Sequence, residues 1–227
     1  MTRRVRNTAV LVLAIGFLVV GAVLLWLWNR LNTPALPTGE VVTVELARGL
    51  HAGAMFSRLH DAGVLESPGL LRMWVALRGG GEHLHAGEYR FDEPLTPLQV
   101  LAKLERGDVA LHAVTLPEGL DLNESAVRVA EAGFGDIEAV LEAFRDPLPI
   151  AEIDPDAVDL EGYLFPETYQ FPKSTPPAII AETMVNRFVE STGGDYAARA
   201  RAVGLTLREA VTLASMIEKE TAVAEER

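Results

Sequence analysis

The 227-residue sequence predicts an α+β protein in three parts: a single N-terminal transmembrane helix, a small α/β subdomain and a mostly helical C-terminal domain. Three observations lead to this prediction. A long uncharged apolar run lies near the start of the chain. Strand-like and helix-like patterns then alternate up to residue 116. From residue 117 onward, helical spacing with capping residues predominates.

The apolar run covers residues 9–28, which are 20 residues without a charge. With a rise of about 1.5 Å per residue, a helix of this length matches the thickness of a bilayer core. Three arginines precede the run, at positions 3, 4 and 6. The positive-inside rule therefore places residues 1–8 in the cytoplasm and the remainder outside the inner membrane. The long core without a small-residue cleavage site favours an uncleaved anchor over a signal peptide.

Charge and composition narrow the classes of function. The net charge is −12, and because the segment 1–30 carries four arginines and no acid, the remainder carries −16. Such an acidic domain argues against a nucleic-acid partner. The absence of cysteine excludes disulfides and thiol chemistry. His83 and His85 form a close pair without further ligands at suitable spacing, so we expect no metal site and no cofactor.

Residues 29–40 are Pro-rich and are predicted to be a linker. The subdomain 41–116 follows, and glycines 79–81 interrupt it. Ser67-Pro68 and Thr96-Pro97 each place an N-cap residue before a proline, which is typical of a helix start. In chain order the patterns predict a strand at 41–46, helices at 52–62 and 68–78, a strand at 87–91, a helix at 97–106 and a strand at 109–116.

The C-terminal domain, 117–227, is predicted to contain helices at 121–132, 136–144, 176–190 and 196–203, and a further helix beginning at Thr206. Between the second and third of these helices lies a stretch rich in proline and aromatic residues, 146–175. Its spacing is poorly periodic, so we predict a loop. Loops of this length inside a compact domain are usually functional.

The last helix carries an unusual carboxylate. Thr206 and Glu209 match a capping box at its start. At about 100° per residue, Glu218 falls on the same side as the apolar residues, whereas Glu220 falls on the polar side. Loss of water penalises the charged form of a carboxyl group, and a carboxyl that keeps its proton can act as a general acid. The alternatives are an ion-paired core residue or a solvated helix end.

A second group of residues lies in the predicted loop, within the run Leu-Glu-Gly-Tyr-Leu-Phe-Pro-Glu-Thr-Tyr at 160–169. It places two carboxylates, Glu161 and Glu167, close to aromatic rings that include Tyr163 and Tyr169. Rings that stack on sugar faces beside carboxylates that bond hydroxyls are typical of a glycan groove. The alternative is a turn whose aromatic side chains fill the core.

Together, 160–169, the run Ala-Ser-Met-Ile-Glu-Lys-Glu-Thr at 214–221 and Glu226-Arg227 resemble the YceG-like family, the endolytic murein transglycosylases of bacteria. Further similarities lie at 62–65, 87–89, 104–107 and 116–119. Met216 departs from the family, which more often has Ile or Val there. The family continues beyond this motif, so we expect the chain to be truncated and 117–227 to be the N-terminal part of a catalytic domain.

The resemblance implies that 41–116 is a LysM-like subdomain and that Glu218 is the catalytic acid and base. The substrate implied is peptidoglycan, cleaved between N-acetylmuramic acid and N-acetylglucosamine to leave 1,6-anhydro ends, with termination of nascent strands as the cellular role. Cell-wall synthases are candidate partners. We expect Glu161, Tyr163 and Tyr169 to contact substrate or brace Glu218. Glu220 is a further candidate for substrate binding, with pairing on the helix surface or holding a neighbouring loop as the alternatives.

Two alternatives follow from the same residues. A hydrolase would use Glu218 with a second carboxylate such as Glu161, and its product would have a reducing end instead of a 1,6-anhydro end. A membrane-anchored scaffold protein of the cell-wall machinery would bind glycan without cleaving it, through the subdomain 41–116.

Overall fold

The computed structural model describes residues 2–34, 41–79 and 83–220, without side-chain detail for residues 2–10 and 12. Half of the predicted linker (35–40), part of the glycine break at 79–81 and the end of the 214–221 motif lie outside the described residues, as does Glu226-Arg227. The chain divides into two compact units, Met1–Ala110 and Leu111–Arg227. Helices and small sheets are mixed in both, which confirms the α+β class.

The first unit follows the predicted order closely. Val42–Leu46 and Gly87–Phe91 pair antiparallel, with Val42 opposite Phe91 and Leu46 opposite Gly87. Alternate residues of both strands are buried, as expected for a sheet with one covered face. The elements are α1 (Thr2–Leu31), β1 (Val42–Leu46), α2 (Ala52–Asp61), α3 (Pro68–Leu77), β2 (Gly87–Phe91) and α4 (Pro97–Arg106).

The core of this unit gathers the apolar faces of α2, α3 and α4 against the sheet. Its largest fully buried side chains include Tyr89, Phe56 and Phe91. The Tyr89 hydroxyl donates a hydrogen bond to the His85 carbonyl oxygen at 2.8 Å. Burial, followed by the nearby Asp108 charge, raises the pKa of Tyr89 to about 12.

Helix α1 includes a segment, Leu13–Leu31, that is long and apolar enough to cross a membrane, with a mean hydropathy of 1.8. Its last residue, Leu31, is only 5% exposed and belongs to the core of the first unit. Beside it, the Arg30 guanidinium pairs with Glu66 at 2.6 Å. The end of α1 is therefore attached to the turn that precedes α3.

The second unit contains β3 (Leu111–Thr115), α5 (Leu122–Glu131), α6 (Ile137–Arg145), a short 3₁₀ helix (Leu148–Ile150), β4 (Thr168–Pro172), α7 (Pro177–Thr192), α8 (Tyr196–Ala202) and α9 (Leu207–Glu220). Helices α5, α6 and α7 pack in succession against one another. The predicted helices agree with these within a few residues.

The position of β3 corrects the predicted domain boundary. The strand predicted at 109–116 falls within the predicted subdomain 41–116, yet β3 pairs antiparallel with β4. Val114 lies opposite Tyr169, and Thr115 lies opposite Thr168. The boundary between the units therefore falls after Ala110 and not after residue 116.

The same pairing corrects the prediction of a loop at 146–175. Part of that stretch is β4, with Tyr169 and Phe171 buried and their neighbours Thr168 and Gln170 exposed. This short alternation ends in Pro172, and it is too weak a signal beside its proline-rich neighbours. The strand exists because β3, which lies far earlier in the chain, supplies its hydrogen-bonding partner.

Candidate functional site

Helix α9 begins as the sequence predicts. The Thr206 hydroxyl accepts the N–H of Glu209 at 3.2 Å, and the Glu209 carboxylate accepts the N–H of Thr206 at 2.8 Å. These bonds confirm the capping box. The N–H and the hydroxyl of Thr206 both donate to the carboxylate, and they lower the pKa of Glu209. Leu207 and Val211 then bury the first two turns in the core of the second unit.

Beyond Val211 the helix leaves the core. Leu213, Met216 and Ile217 are 48%, 61% and 55% exposed. The Glu218 side chain is exposed as well. The expectation of a dehydrated carboxyl is therefore wrong in this structure. Ala214 and Ile217, which share its side of the helix, are apolar and exposed to solvent in the described part of the chain.

Glu218 nevertheless borders a cavity of about 130 Å³ in the second unit. The cavity lies between α9, the start of α5 and the turn that follows residue 160. Two carboxylates predicted to belong to the site, Glu161 and Glu218, both line it. Glu220 is exposed and is not among the lining residues. The complete lining consists of Leu116, Pro117, Gly119, Leu120, Asp121, Ser125, Glu161, Gly162, Leu164, Pro166, Ser215, Glu218 and Lys219.

Tyr163 fills the core of the second unit and has no exposed surface. Its hydroxyl donates to the Asp154 carboxylate at 2.5 Å, and its ring meets Phe188 edge-on with centroids 5.4 Å apart. Burial, then the hydrogen bond to Asp154, raises the pKa of Tyr163. The structure therefore does not place this ring where a glycan could contact it.

Tyr169 is also a core residue, 7% exposed on strand β4. It stacks on Phe171 with centroids 6.0 Å apart, and its hydroxyl donates to the Phe165 carbonyl at 2.7 Å. Burial, followed by the Glu167 charge, raises its pKa to about 12. For both tyrosines, the structure agrees with the alternative prediction that their aromatic rings fill the core. It does not agree with the prediction that the rings stack on sugars.

Glu161 is held by the start of helix α5. Its Oε2 accepts the N–H of Leu122, the first residue of that helix, at 2.7 Å. The first N–H groups of a helix have no acceptor within the helix, so a carboxylate is a favourable partner for them. Asp121 and Glu124 complete the same helix start as a capping box.

Sequence reasoning missed four polar residues that line the cavity: Ser215 and Lys219, which flank Glu218 on α9, and Asp121 and Ser125 on α5. Spacing gives a signal for the first pair, because residues three and four apart share one side of a helix. The second pair becomes visible only when the fold brings α5 to α9. Within the described part of the chain, no group of three His, Cys, Asp or Glu side chains is arranged to hold a metal ion.

A model of the YceG-like family matches residues 44–227. The chain belongs to the YceG-like family. The match includes both motifs and the entire lining of the cavity. The similarity to the family therefore covers both compact units from residue 44 onward and is not limited to the helix that carries Glu218.

Curated relatives are similar over most of this chain. The endolytic murein transglycosylase of Streptococcus pneumoniae strain D39 is 27% identical over 215 residues, covering 83% of this chain and 38% of that protein. The endolytic murein transglycosylase of Bacillus subtilis strain 168 is 23% identical over 221 residues, covering 89% of this chain and 60% of that protein. The matched part of this chain therefore spans less than two thirds of the length of each of these relatives.

Among solved structures, a crystal structure of a yceG-like protein from Listeria monocytogenes is 24% identical to this YceG-like chain. The TM-score is 0.44, and the match covers 82% of this chain and 66% of the other.

Proposed function

We propose that this chain belongs to an endolytic peptidoglycan lytic transglycosylase in which Glu218 is the catalytic acid and base. One observation carries the proposal: Glu218 borders a polar cavity together with Glu161, in a family whose curated relatives are named endolytic murein transglycosylases. Among the described residues, the part of α9 beyond Val211 is exposed to solvent, and Glu218 lies there at the cavity. An extended glycan strand would therefore be able to reach the carboxyl.

In the proposed reaction, the protonated Glu218 carboxyl donates its proton to the glycosidic oxygen between N-acetylmuramic acid and N-acetylglucosamine as that C–O bond breaks. The C6 hydroxyl of the N-acetylmuramic acid then attacks its own C1, and the Glu218 carboxylate accepts the hydroxyl proton. The product is a 1,6-anhydro end, no water is consumed, and the carboxyl regains its proton. A single group thus acts first as acid and then as base.

The geometry favours Glu218 over the other two carboxylates for this role. Glu161 uses its Oε2 to accept the Leu122 N–H. Glu220 lies on the same helix but does not line the cavity. Glu218 has an exposed side chain at the cavity edge, in a position where a bound glycan would cover it.

The proposal includes the membrane. Leu13–Leu31 would anchor the chain by a single pass, with the N-terminus in the cytoplasm because arginines precede the span. Leu31 and the Arg30–Glu66 pair attach this helix to the remainder of the first unit, which would keep that unit near the bilayer. Its order β1-α2-α3-β2 fits the LysM-like layout expected from the resemblance. Such an enzyme would act on strands emerging from cell-wall synthases and terminate them.

The test compares Glu218→Gln with Glu220→Gln in the full-length protein on purified murein glycan strands. We expect Glu218→Gln to lower the rate by about 10²- to 10⁴-fold, because proton transfer is lost. We expect the rate of Glu220→Gln to remain close to that of wild type. Both variants should have the melting temperature of the wild-type protein, because both side chains are exposed. Wild-type activity in Glu218→Gln would disprove the assignment.

One observation supports a second candidate, a hydrolase: Glu161 and Glu218 line the same cavity, and glycoside hydrolases generally use two carboxylates. Mass spectrometry of the cleavage products separates the two reactions. A 1,6-anhydro end supports the transglycosylase, whereas a reducing end means that water attacked. Glycan binding without turnover in wild type and Glu218→Gln alike would instead support the non-enzymatic scaffold.

A further inference from the structure

Residues 159–162, here called the 159–162 turn, contact both helix α5 and helix α9, and two of them, Glu161 and Gly162, line the cavity. At one end, Glu161 accepts the Leu122 N–H of α5 at 2.7 Å. The N–H of Glu161 donates to Asp159 Oδ1 at 3.2 Å. That same Asp159 oxygen lies 3.5 Å from the Arg208 guanidinium in the first turn of α9. A continuous polar chain therefore joins the start of α5 to the start of α9.

Gly162 adds a direct packing contact. Its φ is +83°, and a Cβ built on it would lie 2.5 Å from Val211 Cγ1. Real Cβ atoms do not approach so closely, so the main chain of the turn touches α9 at a distance that only glycine allows. Val211 precedes Glu218 by about two helical turns. The residue next to Glu161 thus contacts the helix that carries the proposed acid.

From these contacts we infer that Glu161 is a positioning residue. Its bond to the α5 amide fixes the 159–162 turn, and the contacts of that turn with α9 fix the helix and the location of Glu218 at the cavity. This inference deepens the proposed function and rests on it. In the described chain the buried residues of α9 are Leu207 and Val211, and the turns beyond Val211 are exposed. Their placement therefore depends on where the first two turns are held.

The role requires a hydrogen-bond acceptor at position 161 and does not require a charge. The side-chain carbonyl of glutamine can accept the Leu122 N–H in the same place, whereas alanine cannot. A second catalytic carboxylate, as in the hydrolase, would be lost in both substitutions. The pair Glu161→Gln and Glu161→Ala therefore separates positioning from direct participation.

Glu124 provides a matched control. It caps the same helix start by accepting the Asp121 N–H at 3.0 Å. It does not line the cavity, and this bond lies entirely within the start of α5. Glu124→Ala therefore reports what the loss of one cap costs α5 without releasing the 159–162 turn.

Activity on soluble glycan strands is measured for the three variants in the full-length protein. We expect Glu161→Ala to lower kcat by about 10²-fold with little change in KM, since small misplacement of a catalytic group has effects of this size. Glu161→Gln and Glu124→Ala should keep most of the wild-type kcat. An equal loss of kcat in Glu161→Gln and Glu161→Ala would overturn the inference and indicate that the charge of Glu161 is required. A loss of kcat in Glu124→Ala equal to that in Glu161→Ala would also overturn it, because Glu161 would then contribute only as a helix cap.

A second measurement needs no substrate. Amide hydrogen exchange of α9 from Ala210 onward should become faster in Glu161→Ala than in either wild type or Glu124→Ala, because the turn no longer holds the helix. Unchanged exchange in α9 would disprove the inference. If instead Glu218→Gln retains activity, the proposed function fails while the exchange experiment still reports on the connection between α5 and α9.

Discussion

Helices α4 and α9 begin alike and end differently. Each opens with a capping box built on a threonine, Thr96 with Gln99 in α4 and Thr206 with Glu209 in α9. Helix α4 is then buried along one face through its last turn, at Pro97, Val100, Leu101 and Leu104. Helix α9 has a comparable apolar pattern, but among its described residues only Leu207 and Val211 are buried.

The difference shows that an amphipathic pattern specifies a helix and a preferred face, but not how much of that face is covered. In α4 the sheet and neighbouring helices cover every turn. In α9 the second half carries Glu218 along the edge of a cavity instead of into a core. A carboxylate in that half is accessible to a polymer, which a carboxylate on the buried face of α4 would not be.

The strongest test of the comparison truncates one leucine in each helix. Leu104→Ala, at a fully buried position, should lower the free energy of unfolding by about 2–5 kcal/mol. Leu213→Ala, at a position 48% exposed, should change it by no more than about 0.5 kcal/mol. Denaturant titration measures both. A cost at Leu213 equal to that at Leu104 would mean that the second half of α9 is packed in solution.

A smaller effect tests how closely α9 is held in its first half. Gly162→Ala should cost roughly 1–3 kcal/mol more than Gly63→Ala, because overpacking against Val211 is added to the backbone strain. Both glycines have positive φ, +83° and +79°, but a Cβ on Gly63 would meet none of the described atoms beyond its chain neighbours within 4 Å.

Adding Val211→Ala to Gly162→Ala should recover much of the extra cost, since it removes the methyl groups that the new Cβ would meet. Thermal melting of the two single variants and the double variant provides the comparison. Equal destabilisation by Gly162→Ala and Gly63→Ala would show that the close approach to α9 does not exist in solution.

The smallest effect concerns pH. The capping bonds from Thr206 lower the pKa of Glu209 below its ordinary value of 4.5. A group with a lowered folded-state pKa contributes stability above its unfolded pKa, and that contribution is lost as pH falls through the folded value. Protection of the first turn of α9 should therefore be complete above the ordinary value of 4.5 and decrease as the pH falls below it. The capping box of α4 should not make the protection of its first turn depend on pH, since Gln99 does not titrate.

Amide protection factors measured by NMR across that range check the expectation, with Glu209→Gln as the control. This variant gives α9 a capping box of the threonine–glutamine type found in α4. It should remove the pH dependence of amide protection in the first turn of α9. Two outcomes would show that the capping bonds do not cause the pH dependence. One is a parallel fall of protection in α9 and α4, and the other is lower protection at low pH in Glu209→Gln than in wild type.

Local signals explain which parts of the fold could be predicted. The starts of α4, α5 and α9 are each encoded in a short run of consecutive residues, because the capping side chain bonds to main chain within the same turn. Strand β4 could not be predicted in this way, since its partner β3 is distant in the sequence. The same limit affected the site. Glu218 and Glu161 stood out in the sequence, but the burial of Tyr163 and Tyr169 did not.

Neighbouring residues are enough to specify where the helices begin, which family motifs are present and which carboxylates are unusual. The folded chain was needed to show that Tyr163 is a core residue, that Glu218 is exposed, and that Glu161 bonds to the start of α5. These three properties could not be read from local patterns because burial depends on which distant segment packs against a residue. Side-chain spacing fixes the face that a residue occupies, while the covering of that face is a property of the whole fold.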